Sequence, residues 1–285
     1  MRVRYSFSSR KTGAARATHT NKHKKQVPKM VTEVIKISDI VLEILDARFI
    51  DKTRNLEIED LIKKKGKNIV FVLNKTDLVD KEALIAELKE KNIYPYSIVS
   101  CTKRFGSRDL RDRIKIEVKK LKIFDEHKKA HIGVVGYPNT GKSSLINFLT
   151  GRGVAATSSV AGFTKGIKKI KLTKDILLLD TPGIIPPSED AAVQIDTDMQ
   201  TKHATINVKT FDKVDNPDLI VQNLLNEYPN IIENHYNIEA NGDAEVLLEK
   251  LGRKLNFLKK GNEVNTDRTA RAILKDWQQG KIRIK

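Results

Sequence analysis

Three short stretches of this 285-residue chain carry the residue types that handle a phosphorylated nucleotide. The first is "GYPNTGKS", Gly136 to Ser143, which satisfies the pattern G-x-x-x-x-G-K-[ST]. An apolar run precedes it and the helical run "SSLINFLT" follows. In that setting the segment Gly136–Gly141, with Pro138, Asn139 and Thr140 inside it, wraps phosphates with backbone N–H groups inward. Lys142 neutralises β- and γ-phosphate oxygens, and the Ser143 hydroxyl suits Mg²⁺. Ser144 follows in the same helix start. The second stretch is "ILLLDTPG". Its Asp180 ends an apolar run, where a carboxylate can hold the water shell of Mg²⁺, and Pro182–Gly183 turns the chain so that a backbone N–H faces a γ-phosphate. Thr164, in "AGFTKG" between the two, offers a second hydroxyl to the metal.

The third stretch, "FVLNKTDL", is suited to a base. Asp77 can accept from guanine N1 and N2, donors that adenine lacks in that arrangement. Asn74 supports the loop, and the stem of Lys75 can lie on the ring face. A site built on such polar matches rejects the wrong base strongly, because its carboxylate would be left unpaired. "SCT" (Ser100, Cys101, Thr102) follows the next strand and could give the Cys101 N–H to guanine O6. Ordinary guanine-nucleotide switches carry the phosphate loop first and the base tetrad last; here the tetrad ends at Asp77 and the phosphate loop begins only at Gly136. The order is a circular permutation.

These residues need strands that end at one rim of a sheet. "DIVLEILDA", "NIVFVLNK", "YPYSIVS", "HIGVVG", "GIKKIKL" and "ILLLDT" read as strands, several of them continuous apolar runs. Between them, "EIEDLIKKKG" reads as a helix closing at Gly66. Asp80 caps a helix in which Leu84, Ile85 and Leu88 share a face, and Leu110, Ile114, Val118 and Leu121 follow helical spacing. The alternation predicts an α/β fold: a parallel P-loop sheet with helices on both faces. Beyond about Pro187 only helical patterns remain. In the last, Ala270, Ile273, Leu274 and Trp277 share one face, with Arg268, Arg271 and Lys275 directed outward. The expected domains are a basic arm (1–25), a permuted nucleotide-binding domain (26–187) and a basic helical domain (188–285).

"DAR" at Asp46–Arg48, "NKTD", "GYPNTGKSSLIN", Thr164, "DTPGI" and "ARAILKDWQQGKI" together resemble the circularly permuted GTPases of the YlqF/YawG type. The resemblance covers most of the chain. It implies GTP hydrolysis to GDP and action in ribosome assembly, usually of the large subunit. Ala161 stands where the family usually has proline, and the first 20 residues match no family motif. Ile184 occupies the position at which many GTPases carry a water-orienting glutamine, and an aliphatic side chain cannot orient water. The resemblance places a substitute histidine at His23, with His19 as a competitor; both could instead belong to a nucleic-acid-binding arm. Asn139 resembles the residue that holds K⁺ in potassium-dependent GTPases, where the cation neutralises transition-state charge. The expected ligands are therefore GTP or GDP, Mg²⁺ (Ser143, Thr164, Asp180) and K⁺.

Composition agrees with a polyanionic partner. The net charge is +17. Residues 1–30 hold nine Lys or Arg and no acid, and residues 250–285 hold eleven against three acids. The two ends are expected to meet rRNA of a precursor particle. One cysteine allows no internal disulfide, and no apolar run reaches the roughly 20 residues needed to span a bilayer. A cytoplasmic protein, monomeric off the ribosome, is expected; nucleolar or mitochondrial placement stays open, the latter because the first 20 residues are Arg- and Ser-rich. The rival function is a GTP-sensing RNA-binding regulator with little hydrolysis of its own.

Overall fold

A computed structural model describes residues 27–121, 129–151, 167–192 and 197–284. In chain order the elements are α1 (Lys29–Ile37), β1 (Ile40–Asp46), α2 (Ile50–Thr53), α3 (Leu56–Lys64), β2 (Asn68–Asn74), α4 (Lys81–Glu90), β3 (Tyr96–Ile98), α5 (Ser107–Lys120), β4 (Ala130–Gly136), α6 (Lys142–Thr150), β5 (Lys168–Lys171) and β6 (Ile176–Asp180). They are followed by α7 (Pro187–Ala192), α8 (Thr197–Thr205), α9 (Pro217–Glu227), α10 (Ile231–Tyr236), α11 (Ala244–Lys254) and α12 (Thr266–Gln278).

The six strands form one sheet in the order β3-β2-β1-β4-β6-β5. Side chains alternate across it. Ile40, Leu42 and Ile44 join Leu110 and Ile114 of α5 and Leu145 and Leu149 of α6 in one core layer. On the opposite face Val41 packs with Val31 and Ile35 of α1 and Ile58 and Ile62 of α3, while Leu45, Phe71 and Leu73 meet Leu84 and Leu88 of α4. Helices thus cover both faces, which is why β1 is buried along its whole length.

The sheet departs from the expected all-parallel form at one edge. β5 runs antiparallel to β6, because the few residues between Lys171 and Ile176 suffice for a hairpin and not for a crossover. Ile85 is another departure. It is 38% exposed beside the buried Leu84 and Leu88, since one stripe of α4 is enough to cover the small layer it packs on.

The helices after Pro187 close a second core containing Leu224, Leu247, Leu251, Ile273, Leu274 and Trp277. Phe49 and Tyr137, from the sheet domain, belong to the same cluster. The Trp277 indole stacks against Phe49 at 6.2 Å and meets Tyr228 at 5.0 Å. Lys52 of α2 pairs with Glu227 of α9 at 2.5 Å. The helical part is therefore joined to the sheet through a shared apolar layer. Among the described residues no helix is long and apolar enough to cross a membrane. Trp277→Ala should cost about 3–5 kcal/mol, the usual loss for a large buried aromatic, read as a lower urea midpoint by circular dichroism. A loss under about 1 kcal/mol would show that the shared layer does not hold the two parts together.

Candidate functional site

β4 ends at Gly136 and α6 starts at Lys142, so the phosphate loop lies between a buried strand and a helix N-terminus. No side chain caps α6, which leaves its first N–H groups for an anion. Gly141 has φ 102°, and a β-carbon there would fall 2.2 Å from Asn74 Nδ2; only glycine allows the base loop to come this close. Thr140 Oγ1 donates to the Tyr137 carbonyl at 2.9 Å, tightening the loop. The Lys142 ammonium donates to the same carbonyl and is 6% exposed. Burial pushes its pKa down to about 8, against the pull of Asp180. A buried ammonium whose charged form is this disfavoured fits a phosphate partner. Ser143 and Ser144 are half-buried in the first turn of α6, and Pro138 is buried.

Asp180 ends β6 beside this loop. Its Oδ1 is buried without a hydrogen-bond partner, and burial raises its carboxyl against the opposing charges of Lys142 and Lys168. An orphaned buried carboxylate oxygen next to the phosphate loop fits the water shell of a divalent cation. Thr181 Oγ1 donates to the Val134 carbonyl at 2.7 Å, and Ile184 N–H donates to the Gly136 carbonyl at 3.1 Å. These bonds hold the Asp180–Gly183 turn against the phosphate loop; Pro182 is half-buried and Gly183 exposed. The Ile184 side chain does not face the site. It is 3% exposed and packs with Val31 and Ile35 of α1.

The base loop follows β2. The Asn74 amide donates from Nδ2 to the Thr140 carbonyl at 2.8 Å and accepts the Cys101 N–H on Oδ1 at 3.2 Å. Ser100 Oγ donates to Asp77 Oδ1 at 2.5 Å and fixes the rotation of that carboxylate. Thr76 Oγ1 donates to the Val99 carbonyl at 2.8 Å. Lys75 has φ 62°, a left-handed turn that sends its ammonium back over β1 to Asp46 Oδ2 at 2.7 Å. The structure thus brings together Asn74, Lys75, Asp77, Ser100 and Cys101 on one side and Gly136–Ser144 with Asp180–Gly183 on the other. One expectation changes. The Cys101 N–H, read from sequence as a donor to guanine O6, is engaged by Asn74. Burial also pushes the Cys101 thiol up to about 12, away from any nucleophilic role. Thr102 is exposed. Thr164, His23 and His19 lie outside the described residues.

Asn139 has φ 61° and donates from Nδ2 to the Asn207 carbonyl at 2.6 Å. The phosphate loop therefore touches the helical part directly. A second link was invisible in the sequence: Tyr137 Oη donates to Glu189 Oε1 at 2.7 Å, and Glu189 also meets Lys202 at 2.5 Å and His203 Nε2 at 3.2 Å. Burial alone would raise the Glu189 carboxyl, but its bonds to His203, Lys202 and Tyr137 outweigh this and hold it low. Asp46 and Arg48 were visible as "DAR" without a role. Here Arg48 Nη2 meets Asp46 Oδ2 at 2.7 Å, and its Nη1 donates to the Trp277 carbonyl at 3.1 Å.

The three outward basic residues of α12 divide. Arg268 is exposed, over the Phe257 ring at 4.2 Å, and Lys275 is exposed, over the Phe211 ring at 5.8 Å. Arg271 is half-buried instead. It pairs with Asp267 at 2.8 Å and donates to the Phe211 and Asp212 carbonyls, so it ties α12 to the loop before α9 rather than facing solvent freely.

A sheet that is parallel but for its edge strand, with phosphate loop, switch turn and base loop at one rim in permuted order, defines a class of nucleotide-binding protein. Residues 131–247 match the family model described as a 50S ribosome-binding GTPase. An uncharacterized GTP-binding protein of Methanocaldococcus jannaschii is 40% identical over 266 residues, covering 90% of this chain and 67% of that protein. Nucleolar GTP-binding protein 2 of Saccharomyces cerevisiae is 31% identical, covering 95% of this chain and 55% of its own length. The chain spans about half the length of such nucleolar relatives. The GDP-bound structure of YlqF shares the fold, with a TM-score of 0.59 at 24% identity, covering 88% of this chain and 94% of that one. GNP-bound YlqF from Thermotoga maritima gives 0.56, covering 89% and 93%. The chain belongs to the family of circularly permuted P-loop GTPases.

Because only protonated Lys142 pairs with phosphate, nucleotide affinity should fall as pH rises through about 8. Between about pH 7.5 and 8.5 the protonated fraction of the free site drops about threefold, and GTP affinity should follow by fluorescence titration. Lys142→Arg, which keeps its charge, should lose that step. Equal pH profiles for the two proteins would contradict the assignment.

Proposed function

We propose that the protein hydrolyses GTP to GDP and phosphate while bound to a ribosomal precursor, of the large subunit, and leaves it after hydrolysis. The observation that carries this reading is the Asn74 side chain, which joins base loop to phosphate loop across 2.8 Å. It holds the loop that carries Asp77 against the loop that leads into Lys142. Asp77 reads guanine, Lys75 covers the ring, and Ser100 steadies the carboxylate. Gly136–Ser144 cradles the phosphates. Ser143 and Asp180, with Thr164, would hold Mg²⁺, which would offset the charge that develops on the phosphates. Asn139, whose Nδ2 is engaged by the Asn207 carbonyl, would offer its amide oxygen to K⁺. Gly183 offers its N–H to the γ-phosphate.

With Ile184 buried, water must be oriented by another group. His23 is that residue in this reading. Val27, four residues after His23 in the chain, packs against the cluster holding Ile184. The buried Ile184 also favours the second reading, a GTP-sensing RNA-binding regulator with little hydrolysis. The two are separated by turnover with and without ribosomal subunits, in K⁺ and in Na⁺ at matched ionic strength. Stimulation by the particle and by K⁺ supports the enzyme; rates that stay negligible in every condition support the regulator.

The Asp180–Gly183 turn continues into α7, whose Glu189 holds Tyr137 of the phosphate loop and Lys202 and His203 of α8. GTP ordering the turn would thus bias the helical part, with exposed Arg268 and Lys275 and the basic arm set against rRNA. Such a protein acts in the cytoplasm, or in the nucleolus of a eukaryotic cell. Two outcomes are expected. Asp77→Asn should weaken GTP and favour xanthosine triphosphate, whose base presents an acceptor where guanine has its amine; unchanged GTP affinity would remove the base assignment. The precursor particle should bind more tightly in a non-hydrolysable GTP analogue than in GDP, and by linkage should tighten GTP over GDP by the same factor. Equal particle affinity in the two states would end the switch reading.

A further inference from the structure

Asp46, the last residue of β1, is a buried ionic group beside the base loop. Its side chain is 1% exposed. It faces two cations. Arg48 donates to it from Nε at 3.0 Å, from Nη2 at 2.7 Å and from its backbone N–H at 3.1 Å. Lys75 Nζ lies 2.7 Å from Oδ2. Burial alone would raise the Asp46 carboxyl, but Lys75 and Arg48 outweigh it and hold it well below the usual range. Burial pushes the Lys75 ammonium down, with Asp46 as the main opposing influence.

Strand register explains the meeting. Asp46 sits opposite Asn74 in the parallel β1–β2 pair, and Ala47 N–H donates to the Asn74 carbonyl at 2.9 Å. Lys75 comes next. Its left-handed backbone turns its side chain across to Asp46, where a right-handed or extended residue would direct it elsewhere. A lysine stem has four rotors and orders at an entropic cost. A stem anchored at its tip is already laid out before a base arrives.

We propose that Asp46 is a positioning residue for guanine-nucleotide binding: it anchors the Lys75 ammonium and so pre-forms the platform on which the base stacks. This rests on the reading of Asn74–Asp77 as the base loop. Asp46 touches no nucleotide atom in this proposal; it acts through Lys75. It also gives the C-terminal helix a part in the site. The same carboxylate orients Arg48, whose Nη1 holds the Trp277 carbonyl of α12. Loss of the Asp46 carboxylate should therefore be felt at both ends.

A double-mutant cycle on the full chain tests this, with GDP affinity read by a fluorescent analogue. Asp46→Asn and Lys75→Met, which keeps the stem and removes the charge, should each weaken GDP about tenfold. The double variant should be no weaker than the worse single, because both remove one interaction. Additive losses, about a hundredfold for the double variant, would overturn the proposal, since a purely structural Asp46 has no reason to be coupled to Lys75 in binding. Should Asn at position 46 prevent folding, Asp46→Glu replaces it in the cycle. A further arm needs no change at Asp46: nucleotide-free Lys75→Met should melt lower by about 3 °C, because the buried carboxylate loses one of its cations. An unchanged Tm means the anchor is absent in the free protein and sinks the idea. Asp77→Asn with xanthosine triphosphate is run beside the cycle. No change of base preference there faults the base-loop assignment itself; a switched preference with an additive cycle faults only the role of Asp46.

Discussion

Both halves of the Asn74 amide are engaged, one with the Thr140 carbonyl of the phosphate loop and the other with the Cys101 N–H of the following base loop. An amide has few ways to satisfy both at once. It therefore fixes the distance and angle between loops that stand 66 residues apart in the chain. The neighbouring features conform to it. Gly141 must lack a side chain, because Asn74 occupies that space. β1 must lie between β2 and β4, so that the strands ending at the two loops stand one strand apart. That strand must be buried on both faces, which explains its unbroken apolar run.

The sheet, its two helical faces and the three loops were legible in the sequence because each rests on local information. Strand-length apolar runs, turn glycines and a phosphate motif all act within about ten residues. What was not legible depends on pairs far apart. Nothing in "DAR" says that Asp46 meets Lys75, because that contact comes from strand register. Glu189 reads as a surface acid in a helical run until Tyr137, Lys202 and His203 converge on it. Arg271 reads as outward from helical spacing alone, yet the loop carrying Phe211 and Asp212 folds over it and takes its donors. The direction of β5 was missed for a different reason: the strand itself was read, and the short link between Lys171 and Ile176, which admits a hairpin and not a crossover, was not weighed against the parallel pattern of the rest.

The two domains expected from composition share more than a chain crossing. Tyr137 is a phosphate-loop residue and a core residue of the helical part at once. Phe49 stands in the same position after β1. Arg48, Asn139 and Tyr137 each reach across with a hydrogen bond or an ion-paired partner. The phosphate loop and the helical part are thus joined by packed, hydrogen-bonded contacts as well as by the chain itself. Interfaces of this type move between discrete arrangements instead of deforming smoothly.

The strand order has a consequence for how the protein is made. β3, β2 and β1 come from the first hundred residues and form one contiguous half of the sheet, while β4, β6 and β5 form the other. The seam is the β1–β4 pair. During synthesis the half that carries the base loop leaves the ribosome first, and chains fold from the N-terminus as they emerge. The half that carries the phosphate loop docks on it later. A guanine nucleotide, with its ring in one half and its phosphates in the other, would then act as a rivet across the seam, favouring closure of the nascent sheet.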